Sequence, residues 1–556
     1  MQADNLVILA ASKIKDDYAS IFNTVPAMLP FRGKPLVYQI VLNFIQEREN
    51  KENKGIVFVA LPSGEEHIGR FLQVALGAKV DLYCCYFDNA QSFCQAQTLQ
   101  TLLTMMSNLG IKDSKTVIAN GDIYFEFPSL HKDQTITALV TDCPLDGRYS
   151  HYYLDQINQV QYIEVGQRIR REENSQLFTD CGAYYVPSWK ALKKIEQHSV
   201  KCTVGKFLCN VTKGRLQLIR AKKWIDLGNL DSATAISTKV LGAREFNQLQ
   251  IDEKRGLITK SSVNKEKILQ EINYYNNLPQ DLKIFFPRLC SFNLGRSVSY
   301  SIEYYPYKTL SEYYVMYELS EECWGRIFDK IFEVYMEFRN HKGCKPTRDQ
   351  WDRIYLGKLS NRLEKVKENV ELYALTEKES ILINGQNYNG WKRYFSFIEE
   401  VINKAYDTCT CSVIHGDLCF SNILYEPSTN IIKFIDPRGD FFEEGVYGDP
   451  NYDLAKLLHS IHGGYDFIIH QMYSLKETHD GGYDFQLIQS DRAELIKNVL
   501  LLRLRGNFSN EEIQKFLVIE AMLFLSMLPL HKDNIRRQKA FYLTALQILK
   551  QAKEYC

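Results

Sequence analysis

The feature that most constrains the fold is a change of sequence pattern near residue 240. Before that point, short apolar runs alternate with amphipathic stretches such as LVYQIVLNFIQERE. The apolar runs have the length of strands: NLVILAA, GIVFVAL, KVDLYCCYF, TVIAN and TITALVT. Such alternation is typical of a mostly parallel sheet covered by helices. The sequence therefore predicts an α/β domain over residues 1–240.

The rest of the chain follows a different pattern. REFNQLQID and RGLITKSS indicate an antiparallel pair of strands, KEKILQEINYYNNL indicates a helix, and long helical patterns follow. This order predicts a second domain over residues 241–556, mainly helical with a small sheet. A chain of 556 residues is long enough to bury a core in each domain.

Composition and charge exclude several classes of protein. Hydrophobic residues make up 45% of the chain and charged residues 24%, which excludes wholesale disorder. Lys plus Arg and Asp plus Glu both total 67, so the formal net charge is zero. Nucleic acids and anionic membranes normally require a basic footprint, which a neutral chain lacks. We therefore expect no nucleic-acid partner, and we expect any phosphate site to be local.

Two further features predict a cytoplasmic protein. The opening MQADNLVILAASKIKDDY lacks the basic-then-apolar order of a signal peptide. Without export, the fourteen cysteines are expected to be reduced core thiols, and their spacing does not match a zinc site. The longest apolar stretch, Phe516 to Leu530, contains Glu520 and is too short to span a bilayer. It predicts a buried helix and no membrane insertion.

The segment SVIHGDLCFSNILYEPSTNIIKFIDPRGD carries the strongest chemical pattern in the chain. Asp417 lies in a loop after a short strand, Asn422 follows five residues later, and Asp436 ends the apolar run IIKFI. Phosphoryl transfer needs a carboxylate that accepts the proton of the substrate hydroxyl, and oxygen ligands that hold Mg²⁺ on the triphosphate. Asp417 fits the first role, and Asn422 and Asp436 fit the second.

These residues resemble the aminoglycoside phosphotransferase and choline kinase family. Its catalytic loop reads H-G-D-x-x-x-x-N, and its metal-binding aspartate follows an apolar strand as I-D. The resemblance covers about residues 245–556 and implies a protein-kinase-like α+β fold with a large helical lobe, ATP as phosphoryl donor, and Mg²⁺. It also implies that Asp453, in GDPNYDLAKLL, supports the catalytic loop. His415 is assigned no role in proton transfer.

Three more positions follow from the same resemblance. Lys260 in LITKSS lies where the family has its phosphate-binding lysine, and Glu271 on the next helix is placed to pair with it. Glu303 in IEYYPYKTLSEYY belongs to a segment that resembles the hinge that receives adenine. The loop before Lys260 lacks G-x-G-x-x-G, as it does in many members of this family.

The first domain carries a second set of motifs. NLVILAAS and TVPAMLPFRGKPLVYQIV open it, ANGDIYF contains Asp122, TDCGAYYVP contains Gly182, and WIDLGNLDSATA contains Asp226. They resemble the sugar-phosphate nucleotidyltransferases and the related phosphocholine cytidylyltransferases over residues 5 to about 240. The resemblance implies a Rossmann-like nucleotidyltransferase sheet with helices. It also implies nucleotidyl transfer from CTP or another NTP to a phosphate, with metal held by Asp122 and Asp226.

This domain departs from the family in its triphosphate machinery. SKIKDDY follows the opening where the family has a glycine-rich loop and an arginine, Pro26 replaces its catalytic lysine, and Cys94 stands where a glycine belongs. Glycine loops let backbone N–H groups approach phosphates. The candidates for supplying positive charge instead are therefore Lys13, Lys15, Arg32 and Lys34, of which Lys34 is the one basic signature residue retained.

Together the motifs predict a bifunctional enzyme that phosphorylates a small alcohol (a sugar, a polyol or choline) and activates the phosphate with an NTP. By family analogy, the product is an NDP-linked precursor of a bacterial capsule or other surface polysaccharide. The alternative is a kinase alone, whose first domain binds a nucleotide or docks a partner. Trp351, Trp391 and Tyr394 allow an aromatic cage for choline, although core packing is the favoured interpretation. The oligomeric state is not predicted.

Overall fold

The structure, a computed structural model, divides into two compact units, Met1–Val240 and Leu241–Cys556. It describes residues 3–11, 25–48, 54–88, 94–126, 134–142, 149–155, 159–165, 177–193, 202–228, 247–262, 264–295, 298–317 and 319–555. Lys13 and Lys15, two of the candidate phosphate-binding residues, lie outside the described residues.

The first unit combines helices with many short strands. Its described strands are β1 (Asn5–Leu9), β2 (Pro30–Phe31), β3 (Lys34–Pro35), β4 (Gly55–Pro62), β5 (Val80–Phe87), β6 (Thr116–Asn120), β7 (Ile123–Glu126), β8 (Thr137–Thr141), β9 (His151–Leu154), β10 (Val160–Ile163), β11 (Leu177–Val186), β12 (Gln217–Arg220) and β13 (Lys223–Asp226). Its described helices are α1 (Leu36–Gln46), α2 (Glu66–Leu76), α3 (Gln95–Asn108), α4 (Trp189–Lys193) and α5 (Val204–Thr212).

The main sheet of this unit is parallel on one side and mixed on the other. Among the described strands its order is β10-β9-β11-β6-β1-β4-β5, with β8 pairing with β11 and β12. Strand β1 pairs in parallel with β4 and β6, and β4 pairs in parallel with β5. Strand β11 runs antiparallel to β6. The predicted α/β class is confirmed. Four of the five predicted strand runs, β6, β1, β4 and β5, lie side by side and parallel, whereas the fifth, β8, runs antiparallel to β11.

Helix α1 shows how the sequence builds the core of this unit. Its buried residues share one face at helical spacing: Leu36, Val37, Ile40, Val41 and Phe44. Strand β4 is buried along almost its whole length, as expected of a central parallel strand covered on both faces. The carboxyl ends of β1, β4 and β6 therefore lie at one edge of a buried sheet, where loops can position polar groups.

The second unit has small sheets and many helices. Its described strands are β14 (Asn247–Asp252), β15 (Leu257–Ser262), β16 (Leu289–Asn293), β17 (Ser299–Glu303), β18 (Lys308–Thr309), β19 (Ser380–Ile383), β20 (Gln386–Asn389), β21 (Ser412–Val413), β22 (Ile423–Glu426), β23 (Ile431–Phe434), β24 (Tyr447–Gly448), β25 (Tyr473–Glu477) and β26 (Tyr483–Leu487). Its described helices are α6 (Lys265–Asn277), α7 (Leu310–Glu312), α8 (Glu321–Asn340), α9 (Arg348–Ile354), α10 (Leu356–Glu364), α11 (Val370–Thr376), α12 (Trp391–Asp407), α13 (Pro450–Ile461), α14 (Tyr465–Ile469), α15 (Asp491–Asn507), α16 (Asn510–Met527) and α17 (Ile535–Glu554).

Two of these sheets position the candidate site. Strands β14, β15, β17 and β16 form an antiparallel sheet in that order, and α6 packs against it. The pair β14–β15 is the antiparallel pair that the sequence predicts. Strands β22 and β23 form a hairpin, and β18 pairs with β22.

Helix α16 contains most of the apolar stretch for which the sequence predicts burial. Residues 510–531 are, among the described residues, the one helical segment long and apolar enough to cross a membrane by length and composition. However, 78% of its most apolar window is buried inside the fold, where it packs against α13 and α17. Its one buried charge, Glu520, lies 2.9 Å from His462 Nδ1. Packing within the unit accounts for the apolar composition of this helix.

The thiols agree with the prediction of reduced cysteines. Every cysteine in the described ranges is a free thiol, and most are buried. Within the same ranges, no three His, Cys, Asp or Glu side chains come together as a set that could hold a metal ion. Any metal site among the described residues must therefore use fewer than three of these side chains.

Candidate active sites

A hairpin brings together the polar residues of the strongest motif. Asp417 lies in the loop after β21, and a short 3₁₀ turn, Phe420–Asn422, leads into β22. Because Ile423 pairs with Phe434 across the β22–β23 hairpin, the residues just outside that pair meet as well. The Ile435 N–H donates to the carbonyl oxygen of Asn422 at 3.0 Å. Asn422 and Asp436 are thus held at the same end of the hairpin.

Asn422 also fixes the loop that carries Asp417. Its amide nitrogen Nδ2 donates to the Asp417 carbonyl oxygen at 2.8 Å and to Asp417 Oδ2 at 3.2 Å. Both contacts use the nitrogen, so the amide oxygen Oδ1 is left as an acceptor or ligand. The spacing of five residues therefore does two things: it anchors Asp417 and it presents an oxygen beside it.

Asp453 supports the same loop from α13, as the resemblance implies. Its two carboxylate oxygens accept the backbone N–H groups of His415 and Gly416, at 2.7 and 2.8 Å. Burial raises the pKa of Asp453 to about 7, while the two N–H donors oppose that rise. One buried carboxylate therefore holds the loop through two successive backbone N–H groups. The loop can present both groups because Gly416 adopts a left-handed conformation, with φ +77°.

His415 is a structural residue of this loop. Its Nδ1 accepts the Asp417 N–H at 3.2 Å, and its Nε2 lies 3.0 Å from the Ile435 carbonyl oxygen, to which it donates. Burial lowers the pKa of His415 to about 4. The imidazole is therefore neutral, with both nitrogens occupied, and takes no part in proton transfer.

Lys260 connects the sheet to Asp436. Its ammonium lies 2.8 Å from Asp436 Oδ1 and 3.0 Å from Glu271 Oε1, and Tyr300 donates to Glu271 Oε2 at 2.7 Å. Burial opposes the charge of Lys260, but the carboxylates of Asp436 and Glu271 outweigh it and raise its pKa. The structure thus places the predicted lysine and glutamate in contact with each other, with Asp436 beside them.

The backbone of Asp436 adopts a left-handed conformation, with φ +56°. This region is costly for residues other than glycine, although aspartate tolerates it better than most. The side chain is 42% exposed, so the ion pair with Lys260 does not seal the carboxylate from solvent. A partly exposed carboxylate therefore sits on a left-handed turn at the end of the hairpin.

One functional residue escaped the sequence motifs. Lys456, three residues after Asp453 on α13, places its ammonium 2.8 Å from Asp417 Oδ1. Burial opposes its charge, but the carboxylate of Asp417 raises the pKa of Lys456. The available signal was its spacing from Asp453, because residues three and four apart lie on one face of a helix.

Glu303 is the predicted site residue that the structure leaves apart from this group. It ends β17, and its carboxylate pairs with Arg288 Nε at 3.2 Å and accepts a hydrogen bond from Tyr305 at 3.2 Å. Among the described contacts, none joins Glu303 to Lys260 or Asp436. Its side chain is therefore engaged on the Arg288 side of the sheet, and its role at adenine remains a prediction for the backbone of this segment.

The residues around Asp417 fit a divalent cation bound with a triphosphate. Hard cations such as Mg²⁺ prefer oxygen ligands and usually take one or two from the protein. Asn422 Oδ1 and the partly exposed carboxylate of Asp436 supply this number. The donor set is suited to a metal that keeps water and phosphate ligands.

The first unit brings its two predicted carboxylates together. Strands β7 and β13 pair so that Ile123 lies opposite Asp226, next to Asp122. Gly228 packs between the carboxylates: a side chain there would lie 2.7 Å from Asp122 Oδ2 and 3.2 Å from Asp226 Oδ1. Asp226 accepts hydrogen bonds from the Gly228 N–H and from the Tyr149 hydroxyl, both at 2.8 Å.

The carboxylate of Asp122, unlike that of Asp226, keeps a buried oxygen, Oδ1, without a hydrogen-bond partner among the described residues. Burial and the negative charge of Asp226 raise the pKa of Asp122 to about 6. An unpartnered carboxylate oxygen beside a second carboxylate fits a divalent cation, which would relieve both the desolvation and the repulsion.

The other predicted residues of the first unit have mixed surroundings. Lys34 faces Phe31 across the β2–β3 hairpin, and Arg32, at its tip, stacks over Tyr124 with 5.4 Å between guanidinium and ring centroid. Pro26 begins a buried 3₁₀ turn, so the position of the family's lysine is taken by a packed, uncharged residue. Cys94 precedes α3 as its N-cap and accepts a hydrogen bond from Cys202.

Two of the three aromatic residues considered for a choline cage lie in the core, and the third, Trp391, is half-buried and packs against Phe395. Trp351 is fully buried and packs against Tyr355, Tyr406 and Phe442. Tyr394 is also buried. The favoured interpretation, core packing, agrees with these contacts.

Comparisons with known proteins give structural similarities only. No protein-family model matches the sequence, and no curated protein matches it. The chain is similar to the solved inositol-1-phosphate CTP transferase from T. maritima, with 14% identity and a TM-score of 0.33, covering 44% of this chain and 99% of that one. It is similar to an aminoglycoside-3'-phosphotransferase of type VIII, with 14% identity and a TM-score of 0.26, covering 51% and 97%. It is also similar to the Plasmodium vivax ethanolamine kinase, with 12% identity and a TM-score of 0.28, covering 65% and 96%.

These solved structures belong to the two groups that the motifs resemble. At such identities and TM-scores the similarities establish no activity or substrate for this chain.

Proposed function

We propose that the second unit is an ATP-dependent phosphotransferase that acts on a small alcohol. The observation that carries this proposal is the meeting of Asp417, Asn422 and Asp436 at one end of the β22–β23 hairpin, with Lys260 bound to Asp436. Phosphoryl transfer relies on positioning and electrostatic stabilisation, and these residues supply a proton acceptor, oxygen ligands and a cation.

Each residue has a distinct task in this mechanism. Asp417, fixed by Asn422 and by the loop that Asp453 holds, accepts the proton of the acceptor hydroxyl. Asn422 and Asp436 would hold Mg²⁺, which neutralises charge on the triphosphate when bound. Lys260, positioned by Glu271, contributes a further positive charge toward the donor phosphates.

The proposal is tested by incubating the purified protein with Mg-ATP and a panel of choline, polyols and sugars. ADP formation that depends on one alcohol, with a phosphorylated product seen by ³¹P NMR, would support it. ATP turnover that no alcohol stimulates, with no phosphorylated product, would contradict it.

We further propose that the first unit transfers a nucleotidyl group from CTP or another NTP to the phosphate that the second unit makes. The facing carboxylates of Asp122 and Asp226 support this role, since together they can hold a divalent cation beside a triphosphate. The NDP-linked product would serve as a building block for a bacterial surface polysaccharide. Pyrophosphate release from an NTP in the presence of the phosphorylated alcohol is the test.

A second candidate function for the first unit is nucleotide binding without turnover, or docking of a partner. The buried Pro26 favours it, because an apolar turn occupies the place of the lysine in the enzymes that the motifs resemble. Tight nucleotide binding without pyrophosphate release from any NTP would decide for this candidate.

A further inference from the structure

Several cationic side chains lie around Asp417, and the proposed phosphotransfer mechanism gives them no role. Tyr452 and Lys456 lie four residues apart on α13 and therefore share a face of the helix. Lys358, on α10, donates to the Tyr452 hydroxyl at 3.3 Å, so the contacts run from Asp417 through Lys456 and Tyr452 to Lys358.

Arg438 adds a third positive charge on the loop side. The backbone N–H of Arg438 donates to the His415 carbonyl oxygen at 2.8 Å. Its side chain packs over Gly416, the residue directly before Asp417. Its Nε donates to the backbone carbonyl oxygen of Asp440. The guanidinium is thus anchored by neutral groups.

The negative charges around this group are already engaged. Asp453 binds the two loop N–H groups, Asp449 accepts the Tyr355 hydroxyl at 2.6 Å, and Asp436 is paired with Lys260. Asp417 pairs with Lys456. In the part of the chain that the structure describes, no carboxylate pairs with Lys358 or Arg438. Three cations therefore share one carboxylate in a half-buried setting.

The positive charges of these side chains shift the pKa of Tyr452, which lies near all three. Burial alone would raise the pKa of Tyr452, yet Lys358, Lys456 and Arg438 outweigh burial and lower it below its ordinary value of 10. Uncompensated positive charge that is partly desolvated is costly, and an anion within hydrogen-bond reach offsets that cost.

We infer that the acceptor alcohol carries an anionic group, a phosphate or a carboxylate, which Lys358 and Arg438 bind while its hydroxyl faces Asp417. This inference rests on the proposed phosphotransferase function and narrows its substrate class. A quaternary ammonium acceptor such as choline would be repelled by the same charges, and two of the three aromatic residues considered for it, Trp351 and Tyr394, are buried in the core.

The experiment compares matched acceptors that differ by one charged group. Glycerol, glycerate and glycerol 3-phosphate form one set, mannose and mannose 6-phosphate a second, and choline is the cationic member. A charge-assisted contact contributes on the order of 1.5–3 kcal/mol, so we expect kcat/KM for the preferred anionic member to exceed that of its neutral partner about 10- to 100-fold. Glycerate and glycerol 3-phosphate distinguish a carboxylate from a phosphate.

Lys358→Met should reduce the ratio of kcat/KM for the anionic acceptor to kcat/KM for its neutral partner toward one, mainly by raising KM for the anionic acceptor. Lys358→Arg should restore most of this ratio. Lys392→Met is the matched control, since Lys392 is an exposed lysine paired with Glu377, and it should leave the ratio unchanged. If Lys358→Met does not fold, the comparison of matched acceptors with the wild-type protein still decides whether an anionic acceptor is preferred.

Preference for a neutral or cationic acceptor would overturn the inference while leaving the phosphotransferase function in place. So would a Lys358→Met variant that raises KM for ATP, or lowers kcat equally for both members of a pair, because the cations would then serve the donor phosphates. Absence of transfer to every acceptor would instead contradict the proposed function itself.

Discussion

At the scale of single residues, Asp436 and Asn422 differ in what they contribute to the second unit. Asp436 offers a charged oxygen and is also the partner of Lys260, whereas Asn422 offers a neutral amide oxygen and anchors Asp417. We expect Asp436→Ala to abolish Mg-dependent phosphoryl transfer. Asn422→Ala should be milder, with kcat lowered about 10- to 100-fold, because a carboxylate ligates Mg²⁺ more strongly than an amide.

Steady-state kinetics at several Mg²⁺ concentrations measure this difference. Asp480→Asn, at a surface turn remote in sequence from the motif, is the control and should behave as wild type. If Asn422 proved indispensable while Asp436→Ala retained activity, the division of roles between them would be wrong.

The raised pKa of Asp122 predicts that the affinity of the first unit for a divalent metal depends on pH. The pKa of Asp122 is raised to about 6, and a metal binds the deprotonated carboxylate, so protons and metal compete below that value. We expect the apparent affinity for Mn²⁺ to fall about tenfold per pH unit below pH 6 and to level off above it.

Electron paramagnetic resonance titration of Mn²⁺ measures this affinity in an Asp436→Ala background, which removes the metal site of the second unit. Asp122→Asn should abolish the binding, and the exposed Asp142→Asn should not change it. Affinity that stays constant between pH 5 and 7 would contradict the assignment of Asp122 as a ligand.

The arrangement of the candidate site residues was largely predictable where they share a local motif. Asp417, Asn422 and Asp436 were recognisable because the loop and hairpin that join them are contiguous in sequence. Lys456 was not, since its partner Asp417 belongs to a different element and only packing brings them together. The side chain of Glu303 turns toward Arg288 for the same reason: a contact between strands decides its direction.

At the scale of elements, long and strongly apolar runs predicted their structures well. Runs such as GIVFVAL became buried central strands. The short strands β9, β10 and β12 were not predicted, because they are half-buried four-residue segments whose pairing depends on distant partners. The pentapeptide GGYDF illustrates the limit: at Gly463–Phe467 it opens helix α14, and at Gly481–Phe485 it opens strand β26. What the two copies share is a glycine at positive φ, which marks a turn and not a type of element.

Helix α16 carries a buried ion pair whose stability contribution depends on pH. Burial opposes the charge of His462, but Glu520 raises its pKa above the ordinary 6.5. The folded state therefore binds the proton more tightly than the unfolded state. Stabilisation is complete below pH 6.5 and is lost as the pH rises through the elevated folded pKa. We expect the free energy of unfolding of the second unit to fall over that range.

Urea unfolding at several pH values measures this slope. Glu520→Gln should flatten it, and Glu520→Ala should cost about 3–5 kcal/mol below pH 6.5, where it leaves a buried charge without a partner. The exposed Glu400→Gln, which removes a helix-surface pair with Lys404, should cost less than about 0.5 kcal/mol. A stability that rises with pH through this range would contradict the assignment.

At the scale of the whole molecule, each of the two compact units contains its own candidate metal ligands. Asp122→Ala or Asp226→Ala should therefore abolish nucleotidyl transfer and leave ATP-dependent phosphorylation unchanged. Asp436→Ala should have the reverse effect when the phosphorylated alcohol is supplied. Parallel assays of pyrophosphate release and ADP formation on the same full-length variants check this independence. Loss of both activities in a folded Asp122→Ala protein would contradict it.

The central claim is that Asp417 accepts a proton during transfer of a phosphoryl group from ATP to an alcohol. The most direct measurement is single-turnover transfer of the γ-phosphoryl group to the preferred acceptor, by wild type and by Asp417→Asn. Circular dichroism and thermal unfolding verify that both are folded. The geometry predicts a loss of about 10²-fold or more in the transfer rate, the scale of a positioned general base, with little change in ATP binding. Near-normal transfer by a folded Asp417→Asn protein would contradict the account.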